Sequence, residues 1–354
     1  MINFGINGFG RIGRTACRVW WLHQQQKLDL KMINTSGSME LEEWAYLLKR
    51  DTNYGEFKAE IISEVYQSKD SVSDQDPVLG TITIKDKTNS KKILVTAQRN
   101  PDKLPWEKNE VNVVLEATGV FRTKNKAALH FKGGAQYVIL SAPAKDGNVN
   151  SSIIGVNQFS SGEKVLSNES CTTNCVAPVA KIMEQKFGIE KAVMTTIHSY
   201  TDDQNIQDNS HKDLRRARAA AENIIPTTTG AAIATTRVIP ELAKKFDGIA
   251  IRVPTPVGSL SDMVFMTSKN TTVEEVNQVF IDEAKKDHWR GILAVTNEPI
   301  VSSDIVGRSE SSIVDLNLTK VIGGNLVKIL SWYDNEWAYC HRLVEQILLI
   351  PDIY

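Results

Sequence analysis

Residues 2–14 read Ile-Asn-Phe-Gly-Ile-Asn-Gly-Phe-Gly-Arg-Ile-Gly-Arg, and this stretch decides the fold. A short apolar run over 2–6 ends at Asn7, and Gly8, Gly10 and Gly13 follow in the spacing Gly-x-Gly-x-x-Gly. Apolar residues then recur at helical spacing, at Ile12, Ala16, Val19 and Trp20. Strand, glycine pattern and helix in that order form a dinucleotide-binding fingerprint, where the glycines alone would be only a turn. Gly8 permits the tight turn, Gly10 lets backbone approach a pyrophosphate, and Gly13 lets the helix pack close to the strand. The pyrophosphate then meets unpaired N–H groups and the positive end of the helix dipole.

Further along, a second strand is predicted to end near Asn34, where an acidic residue is expected about 20 residues after the last glycine to hold the adenosine ribose. The chain has Asn34-Thr35-Ser36-Gly37-Ser38 there instead. Residues 111–116 and 137–140 read as buried strands of a parallel sheet. They end at small polar residues, Thr118-Gly119 and Ser141, where crevices form at strand ends. The polar stretch 64–92, with a Pro-Val-Leu-Gly turn, reads as a hairpin excursion without chemistry.

The centre of the chain carries a nucleophile. Ser167-Asn168-Glu169-Ser170-Cys171-Thr172-Thr173-Asn174-Cys175 leads into an amphipathic run through Phe187. A cysteine at a helix entry feels the positive dipole end, which lowers its pKa and favours thiolate. Taken alone, a cysteine is more often a buried structural residue. His198, closing the apolar strand 192–197, changes that balance, because a histidine at a strand edge is placed to act as the base for a nearby thiol. The loop from 199 to about 223 brings Lys212, Arg215, Arg216 and Arg218 together, either as a solvated face or as an anion site for phosphate.

The bulk composition is consistent with a soluble two-domain protein. The chain has 354 residues, is 42% hydrophobic and 23% charged, and carries a net charge of −1. Near neutrality, it has no global field to recruit nucleic acid or an anionic membrane. It shows neither a signal peptide nor a run of roughly 18 apolar residues. Its four cysteines suggest neither a disulfide framework nor a zinc site, so a reducing cytoplasm is expected.

Taken together, these motifs resemble the phosphorylating glyceraldehyde-3-phosphate dehydrogenase family over essentially the whole chain. Ser-Cys-Thr-Thr-Asn-Cys at 170–175 is the most specific match, with Ala-Thr-Gly-Val-Phe at 117–121, Ser-Ala-Pro-Ala-Lys at 141–145 and His-Ser-Tyr-Thr-Asp-Asp-Gln at 198–204. Leu-Arg-Arg-Ala-Arg at 214–218, Arg-Val-Pro-Thr at 252–255 and Ser-Trp-Tyr-Asp-Asn-Glu at 331–336 extend it. The loop after His198 looks like the bacterial and chloroplast branch. The resemblance implies an α/β fold with a doubly wound parallel sheet over 1–170, completed by a C-terminal helix in 335–354, and an α+β catalytic domain with a large mixed sheet over 171–334.

It also implies the chemistry. Cys171 and His198 are the catalytic pair; Ser170, Thr172, Thr201, Arg216, Thr229, Gly230 and Arg252 fall on substrate and phosphate positions. Asn7, Gly8, Gly10, Arg11, Ile12, Gly13, Asn34, Thr35, Arg99, Thr118, Gly119, Ser141 and Asn335 fall on cofactor positions. The implied ligands are NAD or NADP, glyceraldehyde 3-phosphate and inorganic phosphate, without a metal. The implied assembly is a homotetramer whose basic loop reaches a neighbour's cofactor site. The implied setting is glycolysis and glucose metabolism, although a reductive biosynthetic direction is equally open.

Two departures from the family pattern stand out. Thr35 replaces the acidic residue of NAD-specific members, and Ser210 replaces the Pro of their Asp-Leu-Pro-His loop. Small hydroxyls can hydrogen-bond a 2′-phosphate that a carboxylate would repel, so NADP use is expected. The second departure, Pro256-Val257-Gly258-Ser259, is expected only to alter packing near a subunit interface. Erythrose-4-phosphate dehydrogenase shares the Cys/His pair but departs at segments this chain keeps, and a non-catalytic regulator would be expected to lose the pair or its arginines.

Overall fold

The computed structural model describes residues 1–147, 149–351 and 353. Contacts divide the chain into two compact units, one of Met1–Ser151, Phe159–Asn168 and Cys340–Tyr354, the other of Ser152–Gln158 and Glu169–Tyr339.

In the first unit the strand Ile2–Asn7 is followed directly by the helix Arg11–Val19. Gly8 makes the turn at φ +96°. A Cβ on Gly13 would lie 2.0 Å from the Gly8 carbonyl oxygen, so helix and strand approach more closely than any side chain allows. Ile2–Asn7 pairs in parallel with Leu28–Thr35 on one side and Val113–Glu116 on the other. Tyr137–Leu140 and Val165–Ser167 continue the parallel sheet. The chain order therefore reverses at Ile2–Asn7, which makes its C-terminal end the topological switch point where ligands bind.

The stretch 64–92 has the antiparallel pairing expected of a hairpin, but it is not an excursion from the sheet. Glu60–Val65, Val78–Lys85 and Ser90–Ala97 form antiparallel partners, and Ser90–Ala97 pairs in parallel with Leu28–Thr35. They are an integral extension of the sheet, on the adenosine side. The Pro-Val-Leu-Gly sequence is no turn: Val78 opens a strand with an irregularity before Gly80. Gly80 is required because a Cβ there would lie 2.1 Å from the Glu64 carbonyl oxygen, so the neighbouring backbone, and not a chain reversal, demands the glycine.

The second unit is built on a mixed sheet in which Ile189–Ser199 runs parallel to Phe246–Val253 and antiparallel to Ser259–Thr267. Leu326–Tyr333, Ser312–Asp315 and Leu293–Thr296 extend it. The helices Cys171–Phe187, Ala231–Val238 and Val273–Ala284 bury their apolar sides, including Val176, Ile182, Val238 and Phe280, in one core with Met194, Met263 and Ile329 from the strands. Val193 and Ile249, on the alternate positions of their strands, stay exposed.

Candidate active site

The nucleophile region is set by a helix start and a strand pairing. Ser170 caps the helix Cys171–Phe187, its hydroxyl accepting from the Thr173 N–H at 3.1 Å, so Cys171 is the first helical residue. Register then places His198 directly opposite Arg252 on the parallel neighbour strand. Cys171 Sγ lies 3.4 Å from His198 Nε2. His198 Nδ1 is 2.6 Å from the Ser199 carbonyl oxygen, which only accepts. Arg252 Nη1, which only donates, also lies 3.0 Å from Nδ1, but its two protons go to oxygen acceptors, so the shorter contact keeps the ring proton on Nδ1 and Nε2 presents a lone pair to the thiol. Arg252 Nη1 donates to the same carbonyl at 2.9 Å and to Thr201 Oγ1 at 3.1 Å.

The electrostatics differ from the sequence-based expectation of a lowered cysteine pKa. Burial pushes the Cys171 thiol up, outweighing the Arg252 charge and the hydrogen bonds from Thr172 that pull it down. Burial, helped by the Arg252 charge, pushes His198 down to about 3. The pair at neutral pH is thus a thiol beside a neutral imidazole, because both ions would be desolvated. Cys175 is buried and pushed up to about 12, which leaves it inert.

The four basic residues of the loop do not converge. Arg216 alone turns inward, with Nη1 2.5 Å from Asp203, Nε 2.9 Å from Thr227 Oγ1 and Nη2 3.2 Å from the Thr228 carbonyl. Arg215 reaches the Pro226 carbonyl, Arg218 pairs with Asp208, and Lys212 is exposed. Arg216 and Arg252 thus flank Thr201 and Asp203, while Thr229 and Gly230 open the helix Ala231–Val238. Ser210 lies exposed in the loop, its N–H held by Asn209.

Two participants went unassigned in the sequence. Asp203 accepts from both Thr201 Oγ1 and Arg216. Buried Tyr333 bridges Thr172 Oγ1 at 2.9 Å and Thr196 Oγ1 at 2.8 Å, tying the helix that carries the cysteine to the strand that carries the histidine. Both lie inside motifs visible in the sequence, but their partners come from distant segments and no local spacing marks them. The turn Pro256–Ser259 also acquires an account: Gly258, at φ +94°, passes so close to Ser302 that a Cβ would lie 2.4 Å from its carbonyl oxygen. Gly258 N–H and Ser259 Oγ donate to Asn335 Oδ1, and the Gly258 carbonyl accepts from Ser199 Oγ.

In the first unit a cavity of about 580 Å³ runs along the strand ends, lined among others by Asn7, Gly10, Asn34, Ser36, Arg99 and Thr118. A Cβ on Gly10 would meet nothing within 4 Å, leaving the backbone open to a close ligand. The Arg11 side chain is bound to Asp51 at 2.6 Å, and its backbone N–H stands at the helix start. Ile12 takes a hydrogen bond from Cys340 Sγ on its carbonyl. Gly119 is exposed at φ +72°, and Ser141 donates its N–H to the Glu116 carbonyl.

Thr35 is the clearest departure. Its hydroxyl is buried and donates to the Thr96 carbonyl at 3.0 Å. Its one proton is spent, so it is no donor to a 2′-phosphate. Exposed Ser36 and Arg99 stand at that end instead, and both also border an adjoining cavity of about 290 Å³. Among the described residues the Arg99 guanidinium makes one hydrogen bond, Nε to the Ser36 carbonyl at 3.3 Å.

A dinucleotide-type sheet in one unit and, in the other, a thiol–imidazole pair flanked by arginines are the parts expected of a dehydrogenase. Comparison with known proteins narrows this. The description "Glyceraldehyde 3-phosphate dehydrogenase, NAD binding domain" matches residues 2–124, and the C-terminal domain of the same family matches 170–335. Glyceraldehyde-3-phosphate dehydrogenase 2 of Streptomyces avermitilis is 47% identical over 99% of this chain and 98% of its own length. The chloroplastic glyceraldehyde-3-phosphate dehydrogenase A of Chlamydomonas reinhardtii is 44% identical over 97% of this chain and 87% of its own. Glyceraldehyde-3-phosphate dehydrogenase 2 of Nostoc is 44% identical over 99% of each. The chain belongs to the glyceraldehyde 3-phosphate dehydrogenase family.

Proposed function

We infer that this chain oxidises glyceraldehyde 3-phosphate to 1,3-bisphosphoglycerate, reversibly, with Cys171 as nucleophile and His198 as base. The observation that carries this is the 3.4 Å approach of Cys171 Sγ to an imidazole nitrogen whose lone pair is free for the thiol proton. The thiol adds to the aldehyde carbon as Nε2 takes its proton and passes it to the carbonyl oxygen, giving a hemithioacetal on Cys171 beside a neutral imidazole again. NAD or NADP, bound along the crevice of the first unit, supplies the hydride acceptor. Loss of hydride, with the hemithioacetal proton passing to the imidazole, leaves a thioester on Cys171. Inorganic phosphate then attacks the thioester carbon, forming the acyl phosphate and expelling the thiolate, which recovers its proton from the imidazolium. Covalent catalysis divides one hard oxidation into two steps, and a neutral base beside the sulfur suits both proton transfers.

Arg216 and Arg252 supply donors for substrate and phosphate oxygens, with Asp203 orienting Arg216 and Thr201 linking Arg252 to Asp203. Ser170, Thr172, Thr229 and Gly230, at two helix starts, are assigned to the second anion position. Residues 1–170 with the C-terminal helix serve the cofactor and 171–334 the chemistry. NADP use is supported by the absence of a carboxylate at Thr35 and by the outward Ser36 and Arg99. A homotetramer is supported by exposed apolar side chains on the open sheet face and the loop, Val193, Ile249, Ile206, Leu214 and Ile224. A cytoplasmic setting accords with four free cysteines.

The test is initial rates of NADH and NADPH formation from glyceraldehyde 3-phosphate and from erythrose 4-phosphate, with and without phosphate. Phosphate-dependent activity on the three-carbon substrate is expected with both cofactors. Preference for erythrose 4-phosphate, or no activity, would sink the reading.

A further inference from the structure

The carboxylate of Glu116 is buried at the end of the strand Val113–Glu116 and has no part in the roles assigned above. Its neighbours fix its charge. Trp106 Nε1 lies 3.0 Å from His130 Nδ1, and an indole N–H only donates, so Nδ1 is an unprotonated acceptor. The His130 proton is therefore on Nε2, which donates to Glu116 Oε2 at 3.0 Å. Asn7 Nδ2 donates to that same oxygen at 2.5 Å. On the other side the Thr118 N–H donates to Oε1 at 2.8 Å, and the Thr118 hydroxyl donates there too. Three N–H donors and a hydroxyl thus point at the two oxygens, an arrangement that favours the ionised carboxylate. Among the described residues no Lys or Arg pairs with it, and His130 is neutral, so the charge is solvated by dipoles without being cancelled.

This charge lies beneath one half of the crevice. The residues after the second strand serve the adenosine ribose, so Asn34, Ser36 and Arg99 mark that half. The nicotinamide half falls across the switch point, on the side of Ala117, Thr118 and Phe121, where Thr118 and Asn7 are held by Glu116 itself. The edge of the Phe121 ring also packs against His130, with centroids 6.3 Å apart.

We propose that Glu116 sets the redox preference of the cofactor site, its uncancelled charge holding the cationic oxidised nicotinamide more tightly than the neutral reduced ring. The proposal rests on the dinucleotide reading of the crevice. It gives the site a means of favouring the form that enters the oxidation over the form that must leave.

The test is calorimetric titration of the wild-type protein and Glu116→Gln with the oxidised and the reduced cofactor, each measured separately. Gln keeps the size of the side chain and an acceptor for Thr118 while removing the charge. The ratio of the reduced-form to the oxidised-form dissociation constant is expected to fall about tenfold. Iodoacetamide alkylation of Cys171 serves as the control and keeps its wild-type rate. Both constants weakening together, with their ratio within twofold of wild type, would mark Glu116 as a structural residue and overturn the proposal. Should Gln not fold, Glu116→Asp and Glu116→Asn, equally shortened and differing only in charge, make the same comparison. Failure of the wild-type protein to bind either form would overturn the dinucleotide reading instead.

Discussion

The hydroxyl of Thr35 donates to the carbonyl oxygen of Thr96, across the parallel pairing of Leu28–Thr35 with Ser90–Ala97. The bond turns the side chain into the sheet and leaves discrimination of the 2′-phosphate to the exposed residues beside it. Thr35→Ala is therefore expected to leave the NADP/NAD ratio of kcat/KM within about twofold. Arg99→Ala, which removes a planar fork from the edge of the crevice, is expected to lower it about tenfold or more. An equal fall in both variants would return the role to Thr35.

The two nearby glycines separate fold from binding. Gly13→Ala places a methyl 2.0 Å from a backbone oxygen, so a loss of thermal stability together with cofactor affinity is expected. Gly10→Ala meets nothing within 4 Å, so its melting temperature should match wild type while dinucleotide affinity drops about tenfold or more. Unchanged affinity in Gly10→Ala would show that no ligand backbone passes there.

Arg252 is the cation that holds the Cys171 thiol below where burial alone would put it. Its replacement by Ala should raise that pKa further and slow iodoacetamide alkylation at pH 7 by about tenfold. The pH profile of alkylation should move to higher pH. A profile superimposable on wild type would remove Arg252 from the activation of the thiol.

His198 is buried neutral, with a folded-state pKa near 3 against an ordinary value of 6.5. Below 6.5 the unfolded chain takes up a proton that the folded chain refuses, so stability is lost as pH falls. The loss approaches about 1.4 kcal/mol per pH unit between roughly pH 6 and pH 3. Denaturant midpoints measured at pH 7, 6 and 5 should fall less steeply in His198→Asn than in wild type. Parallel slopes would mean that other groups carry the acid sensitivity.

Ser170 joins the nucleophile to its helix. Ser170→Ala removes the acceptor for the Thr173 N–H and should cost about 1 kcal/mol of stability. Ser170→Asp, which restores a cap, should recover stability but not activity, because it brings a carboxylate next to Cys171 where an anion is expected. Full activity in the Asp variant would remove the phosphate from this position.

Local sequence carried the parts of the fold that depend on near neighbours. The strand Ile2–Asn7, the turn at Gly8, the helix start at Arg11 and the helix opening at Cys171 each follow from spacing and capping within a few residues. The segment around Gly80 was misread because a glycine needed for close approach of another strand looks, in sequence, like one needed for a turn. The basic loop was legible as charge but not as direction, since only Asp203, Thr227 and the Thr228 carbonyl decide that Arg216 alone turns inward.

By itself, the sequence determined which chemistry the chain carries: the thiol at a helix start, the histidine at a strand end, and the glycine cradle are local patterns. Tertiary structure alone decided how those groups are tuned. The His198 tautomer is set by the Ser199 carbonyl, its neighbour Arg252 arrives by strand register, Thr35 is taken up by Thr96, and the His130 tautomer beside Glu116 is set by Trp106. Protonation and hydrogen-bond commitment depend on burial and on partners brought from elsewhere in the chain, and no sequence window contains them.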